Sequence, residues 1–229
     1  MAKQQQPGLN RFYLLLGGIA VLGAGGLAYL AMSRRAVSIP VDVTVLAADT
    51  AGFRGYLIGS PDAPVEVTEY ADYQCPACQS FATIQFPDVK ARLIDTGKLR
   101  WRYRDFPLDQ IHPFARLAAH SAACADEQGK FEAQFEQINT GFAAWNRGGA
   151  NGVFRGYAEA IGLDAARYDD CMRSARYAGR IQASLEEGAR LGVSGTPTFL
   201  INGRLYTDGL NSEQIRQIVD SLAAAAATP

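Results

Sequence analysis

Val65-Glu66-Val67-Thr68-Glu69-Tyr70 leads into Cys75-Pro76-Ala77-Cys78, and from Gln79 to Ile94 apolar residues recur at helical spacing (Phe81, Ile84, Val89, Leu93). The first run has the β-branched and aromatic character of a buried strand. The last has the period of an amphipathic helix. A C-x-x-C at such a strand-to-helix turn is a setting for dithiol redox chemistry. With Cys75 as N-cap, Pro76 takes the first helical position, where its missing N–H costs nothing. The free amides of Ala77 and Cys78 then point back at the Cys75 side chain. Those amides and the positive helix end favour a Cys75 thiolate, the reactive form of the thiol. Cys75 is therefore expected to be the exposed attacking sulfur and Cys78, one turn on, the buried resolving one.

At 229 residues, 48% hydrophobic and 20% charged with a net charge of -1, the chain has globular composition. No basic excess is present to neutralise phosphates, so nucleic acid is not an expected partner. Residues 1–11 are polar, and Phe12 to Met32 carry no charge before Arg34 and Arg35. At about 1.5 Å per residue, that run is long enough for a hydrocarbon core of about 30 Å. It exceeds the 7–15 apolar residues of a cleaved signal peptide, and Ala28-Tyr29-Leu30-Ala31 is a poor cleavage site. Residues 12–32 are accordingly expected to be an uncleaved transmembrane anchor, with 1–11 on the cytoplasmic side. Positive charge flanks both ends, so orientation rests on the cysteine chemistry, which favours an oxidising compartment.

Residues 33–60 read as a linker with one short strand, and Ser60-Pro61-Asp62-Ala63-Pro64 as punctuation before a domain at 61–229. Leu99 to Arg104 alternates with period two, giving a strand with an apolar face and a solvated basic face (Arg100, Arg102, Arg104). Helical segments follow at Phe114–Glu127, Phe131–Trp145, Val153–Ile161, Ala165–Met172 and Arg176–Leu191, an insertion over about 108–191. Thr198–Ile201, the turn Asn202-Gly203 and Arg204–Tyr206 read as a hairpin, and Gln214–Ala225 as a last helix. The order is that of an α/β sheet carrying an all-helical insertion. His112 and His120, eight apart, lack the i, i+4 spacing of a two-histidine metal site. They read as helix-start or packing residues, and no metal or cofactor is expected.

Three motifs carry a resemblance: Asp72-Tyr73-Gln74-Cys75-Pro76-Ala77-Cys78, His112-Pro113-Phe114-Ala115 and Gly195-Thr196-Pro197-Thr198-Phe199. Over roughly 61–221 the chain resembles the DsbA-like thiol–disulfide oxidoreductases of the thioredoxin superfamily. The resemblance implies a thioredoxin-like α/β fold with a helical insertion. It also implies a cis bond before Pro197, facing the cysteine pair. Proline at a strand start is tolerated, and cis bonds are nearly confined to X–Pro. Lacking an N–H, Pro197 leaves the carbonyl and amide of Thr196 free to pair with an extended substrate. Thr196, Pro76 and Ala77 are the expected substrate contacts. Glu69 stands where family members often place a buried acid, one that would shuttle the proton of Cys78.

Ala77 replaces the histidine of the best-known strong oxidant, so Cys75 is expected to titrate between the values typical of DsbA, ≈ 3.5, and thioredoxin, ≈ 7. Cys124 and Cys171 lie in the insertion, and second disulfides occur in some family members. Paired, they would close a loop of about 46 residues worth roughly 3.5–4.5 kcal/mol. The function implied is disulfide donation to cysteine-containing proteins outside the cytoplasm, from the periplasmic or extracellular face of the cytoplasmic membrane. A membrane partner of the DsbB or vitamin K epoxide reductase type would reoxidise the pair. An isomerase or reductase on the same fold is the alternative. A metal-binding or chaperone module, using Cys75 and Cys78 as ligands, is a further one.

Overall fold

The structure, a computed structural model, describes residues 7–33 and 37–226. They form two units that are considered separately. The first is a single helix, α1 (Pro7–Ser33). Among the described residues no helix is long and apolar enough to cross a membrane. The side chains of 27–32, part of the expected anchor, lie outside the described residues, as do residues 1–6.

The second unit holds a five-stranded sheet: β1 (Tyr56–Ile58), β2 (Val65–Ala71), β3 (Leu99–Asp105), β4 (Thr198–Ile201) and β5 (Arg204–Tyr206), ordered β1-β3-β2-β4-β5. β2 and β3 are parallel and every other pairing is antiparallel. The β4–β5 hairpin turns at Asn202-Gly203, both with positive φ (49° and 79°), the backbone that a two-residue hairpin turn demands.

Between β2 and β3 the chain is helical from Pro76 to Ile94, but not as one regular helix. Short α segments, α3 (Pro76–Ser80) and α4 (Phe86–Val89), are each followed by a wide π turn, Phe81–Gln85 and Lys90–Ile94. Pro87 accounts for the first of these. It has no N–H for the carbonyl four residues back, and its ring would collide with that carbonyl, so the turn widens. Phe81, Phe86 and Phe199 then close around the buried Trp101, with ring centroids 5.3–5.9 Å from it.

The insertion comprises α5 (Ala115–Asp126), α6 (Phe131–Thr140), α7 (Phe142–Trp145), α8 (Ala150–Ala160), α9 (Ala165–Ser174) and α10 (Ala178–Leu191). Its core is Ile138, Trp145, Phe154 and Tyr168, and Cys124 and Cys171 are joined as a disulfide, α5 to α9. α10 lies against Tyr70 and Phe106 at Gly188, where a Cβ would sit 2.7 Å from the Phe106 ring. The last helix, α11 (Ser212–Ala226), covers the β2 and α4 side.

Two expectations change. Residues 37–58 are not a tether. Ile39 is buried, Asn151 donates to the Val37 carbonyl (3.2 Å), the short helix α2 (Ala47–Thr50) packs on α10, Phe53 packs on Tyr56, and β1 forms the sheet edge. The sequence of this segment gave little sign of it because only a few of its residues reach the core. Nor are the β3 arginines a solvated face: Arg100 and Arg102 converge on Glu66 (2.7 and 2.8 Å), and Arg104 is buried against Glu187.

The disulfide closes a long loop, so its removal has a predictable cost. Replacing Cys124 and Cys171 together by serine is expected to lower unfolding stability by about 4 kcal/mol. Denaturant midpoints of the oxidised wild type and the double variant measure it.

Candidate active site

The cysteine pair sits where β2 ends. Asp72 organises the turn: its carbonyl accepts from the Cys75 amide (3.0 Å), and its buried carboxylate accepts from the amides of Gln74 and Leu108 (both 2.7 Å). The same carboxylate meets His112 Nδ1 at 2.8 Å. Burial raises the Asp72 pKa, against the opposing pull of these hydrogen bonds. Gln74 reaches the insertion twice, accepting from the Phe114 amide (2.7 Å) and donating to the Asn146 carbonyl (3.0 Å). Asp72 and Gln74 lie within the motif quoted above, but their spacing alone carries no hint of these partners. His112, expected as a helix-start residue, is one of them.

Cys75 is the N-cap of α3, with Pro76 at the first helical position. Pro76 and Ala77 are exposed beside it. Cys75 itself is not: only 7% of its surface is accessible, against 3% for Cys78. The attacking sulfur is therefore a partly covered one. Both cysteines are thiols here.

Their environments push them in opposite directions. Cys75 is lowered to about 5, chiefly by the Cys78 thiol bonding to its sulfur, with help from Thr196 and the amides of Cys78 and Ala77, against desolvation. This lies between the two family values anticipated from Ala77. Cys78 is raised well above 9 by burial, then by its hydrogen bond to Cys75 and by the charges of Cys75 and Glu69.

Pro197 follows a cis peptide bond, and Thr196 contacts the redox pair. Its carbonyl is not free, as expected for substrate pairing, but lies 3.4 Å from Cys75 Sγ, which donates to it. The Thr196 hydroxyl is buried with no partner among the described residues. It gains one when Cys75 ionises.

Glu69 shares an inward face with Val65 and Val67 and is 2% exposed. Burial pushes it up to about 8, only partly offset by the hydrogen bond from Trp101 Nε1 (3.1 Å). A protonated acid near neutral pH thus neighbours Cys78. Away from this site, His120 is buried against Met172 Sδ and Cys124 Sγ, both 3.4 Å from its Nδ1. Burial lowers it to about 4, so it is a neutral packing residue beside the disulfide.

Residues 54–221 match the family model described as Thioredoxin. The chain belongs to the thioredoxin family. Among solved structures it is similar to Chlamydia trachomatis DsbA, with TM-score 0.69 and 20% identity, covering 82% of this chain and all of that one. A thioredoxin-like oxidoreductase from Silicibacter pomeroyi aligns at TM-score 0.62 and 26% identity, covering 79% of this chain and 99% of the other. Among curated proteins, Na(+)/H(+) antiporter NhaA 3 of Salinispora tropica is 36% identical over 76% of this chain. NhaA 1 of Salinispora arenicola is 33% identical over 75%. The chain spans about a quarter of the length of these antiporters (25% of each). It thus has the fold of DsbA-like oxidoreductases and a cysteine pair placed to form a disulfide, consistent with protein thiol–disulfide oxidoreductase activity.

Two titrations follow from this geometry. Thiolate absorbance of the reduced protein should show Cys75 half-ionised near pH 5. In Thr196→Val that midpoint should rise by roughly one unit, a hydrogen bond to a charged group being worth about 1.5 kcal/mol or more.

Glu69 governs stability. Its folded pKa, about 8, lies above the ordinary 4.5, so folding favours its proton. Its contribution is fully present below pH 4.5 and is lost as pH rises through 8. Urea midpoints of oxidised Glu69→Gln, taken from pH 5 to 9, should fall less than those of the wild type.

Proposed function

We propose that the chain is a disulfide donor to cysteine-containing proteins outside the cytoplasm, acting through Cys75 and Cys78. The observation that carries the reading is the split between the two thiols: one stabilised as a thiolate, the other held protonated beside a buried acid. A low-pKa thiolate is a good leaving group and makes its disulfide the more oxidising form.

In the exchange, a substrate thiolate attacks the Cys75 sulfur of the Cys75–Cys78 disulfide. The S–S bond breaks with its electron pair on Cys78, which takes a proton from Glu69. Pro76, Ala77 and the strand start at Thr196-Pro197 line the approach. A second substrate thiolate then attacks the substrate sulfur of the mixed disulfide, releasing oxidised substrate and the Cys75 thiolate. The two electrons removed from the substrate now reside in the Cys75–Cys78 dithiol. Glu69, once ionised, is poised to accept the Cys78 proton when the pair is reoxidised, by a membrane partner of the DsbB or vitamin K epoxide reductase type.

Residues 12–32 are proposed as a single-pass anchor, with 1–11 in the cytoplasm and the catalytic unit on the periplasmic or extracellular side. The uncharged run supports this. The Cys124–Cys171 disulfide agrees with an oxidising compartment.

The reduction potential of Cys75–Cys78 against glutathione buffers tests the direction of transfer. A value approaching the ≈ −120 mV of DsbA supports donation, and one near the ≈ −270 mV of thioredoxin reassigns the chain as a reductase. A potential near the ≈ −180 mV of protein disulfide isomerase favours the isomerase. In Cys78→Ser the Cys75 thiolate can still attack a disulfide of a substrate protein, but no second thiol is present to resolve the product, so mixed disulfides at Cys75 should accumulate.

A further inference from the structure

One face of the sheet carries polar side chains that the exchange just described does not use. Strand register sets Tyr103 on β3 beside Glu69 on β2 and beside Tyr56 on β1. Asp105 is two residues further along β3, on the same face, level with Ala71 at the end of β2. Tyr73, from the redox turn, lies against Tyr103 with ring centroids 5.1 Å apart. Tyr56, Tyr73, Tyr103 and Asp105 are each no more than 2% exposed.

The hydroxyls of Tyr56 and Tyr73 and both carboxylate oxygens of Asp105 have no hydrogen-bond partner among the described residues. A buried polar group left unpaired is costly, and internal water is its usual partner in a polar interior.

Asp105 makes no hydrogen bond to the guanidinium groups whose charges act on it, those of Arg104 on β3, Arg116 on α5 and Arg180 on α10. Each has another carboxylate: Glu187 for Arg104, Asp109 for Arg116 (2.7 Å) and Asp126 for Arg180 (3.6 Å). Asp72 faces Asp105 from the redox turn and opposes its ionisation.

Among the described residues, the hydrogen bond that Glu69 makes is accepted from the Trp101 indole, a donor that cannot take a proton up.

We propose that Tyr103, Tyr73, Asp105 and Tyr56, bridged by internal water, form a proton path between Glu69 and the surface near Asp126, with Asp105 holding the proton midway. Asp126 is partly exposed, and its charge acts on Tyr56. The path rests on Glu69 being the proton donor to Cys78. When Cys78 leaves with the electron pair of the disulfide and takes the Glu69 proton, Asp105 gives its proton through the tyrosine hydroxyls to Glu69 and is refilled from solvent. Reoxidation runs the same transfers backwards. Burial keeps the three tyrosines neutral, well above their ordinary 10, so they pass protons as hydroxyls rather than as phenolates. Burial also sets Asp105 to about 7, where it both gives and accepts a proton near neutrality.

Stopped-flow reduction of the oxidised full chain by a dithiol, followed from pH 5 to 9, tests the path in Glu69→Gln, Asp105→Asn and Tyr73→Phe. All three should slow the reaction about tenfold or more near pH 7, within or below the ~10²–10⁴ typical of an acid–base group. Asp105→Glu should restore part of the rate. Asp105→Asn and Tyr73→Phe should also leave the Cys75 thiolate titration in place, which a merely structural disturbance of the turn would move. Wild-type rates and pH profiles in Asp105→Asn, or in Tyr73→Phe alone should the other fold poorly, overturn the path while a slow Glu69→Gln leaves Glu69 as the donor. A wild-type rate in Glu69→Gln overturns both.

Discussion

Two thiols at one helix end are pushed in opposite senses, and the rest of the site depends on that asymmetry. Cys75 lies just outside the first turn of α3, where free amides and the helix dipole favour negative charge. Cys78 lies inside that turn, buried, and its proton serves as the hydrogen bond that holds the Cys75 thiolate. Each state of one sulfur therefore requires a particular state of the other. Forming the disulfide removes both the thiolate and its donor, so the dithiol gains an interaction that the disulfide lacks. That difference favours giving the disulfide away.

The asymmetry needs the turn held still, which the helical insertion helps to do. Asp72 and Gln74 flank Tyr73 just before Cys75, and between them they bond to Leu108, His112, Phe114 and Asn146. A buried carboxylate accepting hydrogen bonds from two amides and an imidazole is costly to desolvate and strongly directional once satisfied. The insertion is thereby joined to the redox turn by polar contacts, and its Trp145, Phe154 and Tyr168 continue the apolar core of the sheet.

The succession of strands and helices along the chain after residue 61, the hairpin at Asn202-Gly203 and the cysteine turn are legible because local signals agree with the tertiary fold there, whereas the expected helix Phe131–Trp145 is divided into α6 and α7 at Gly141. Long-range polar partners are not legible. Nothing local tells that Asp72 meets Leu108 or that Thr196 offers its carbonyl to Cys75. Residues 33–60 read as a linker because the few anchor residues among them, Ile39 and Phe53 included, are spaced too irregularly to give a period. The widened helix escaped notice for a different reason. Pro87 was visible, but whether a proline ends, bends or widens a helix depends on what packs around it, here Phe81 and Phe86 against Trp101.

The inward faces of β2 and β3 obey the usual pattern up to a point and then abandon it. Val65 and Val67 give way to Glu69, and Leu99 and Trp101 to Tyr103 and Asp105. Both departures fall toward the carboxyl ends of the strands, the end of an open α/β sheet at which ligands and chemistry are found. Substituting apolar side chains at these places would bury more hydrocarbon and spare the desolvation of two acids. The aromatic core offsets that cost, and the hydrophobic pattern is broken at the strand ends beside the redox turn and kept elsewhere.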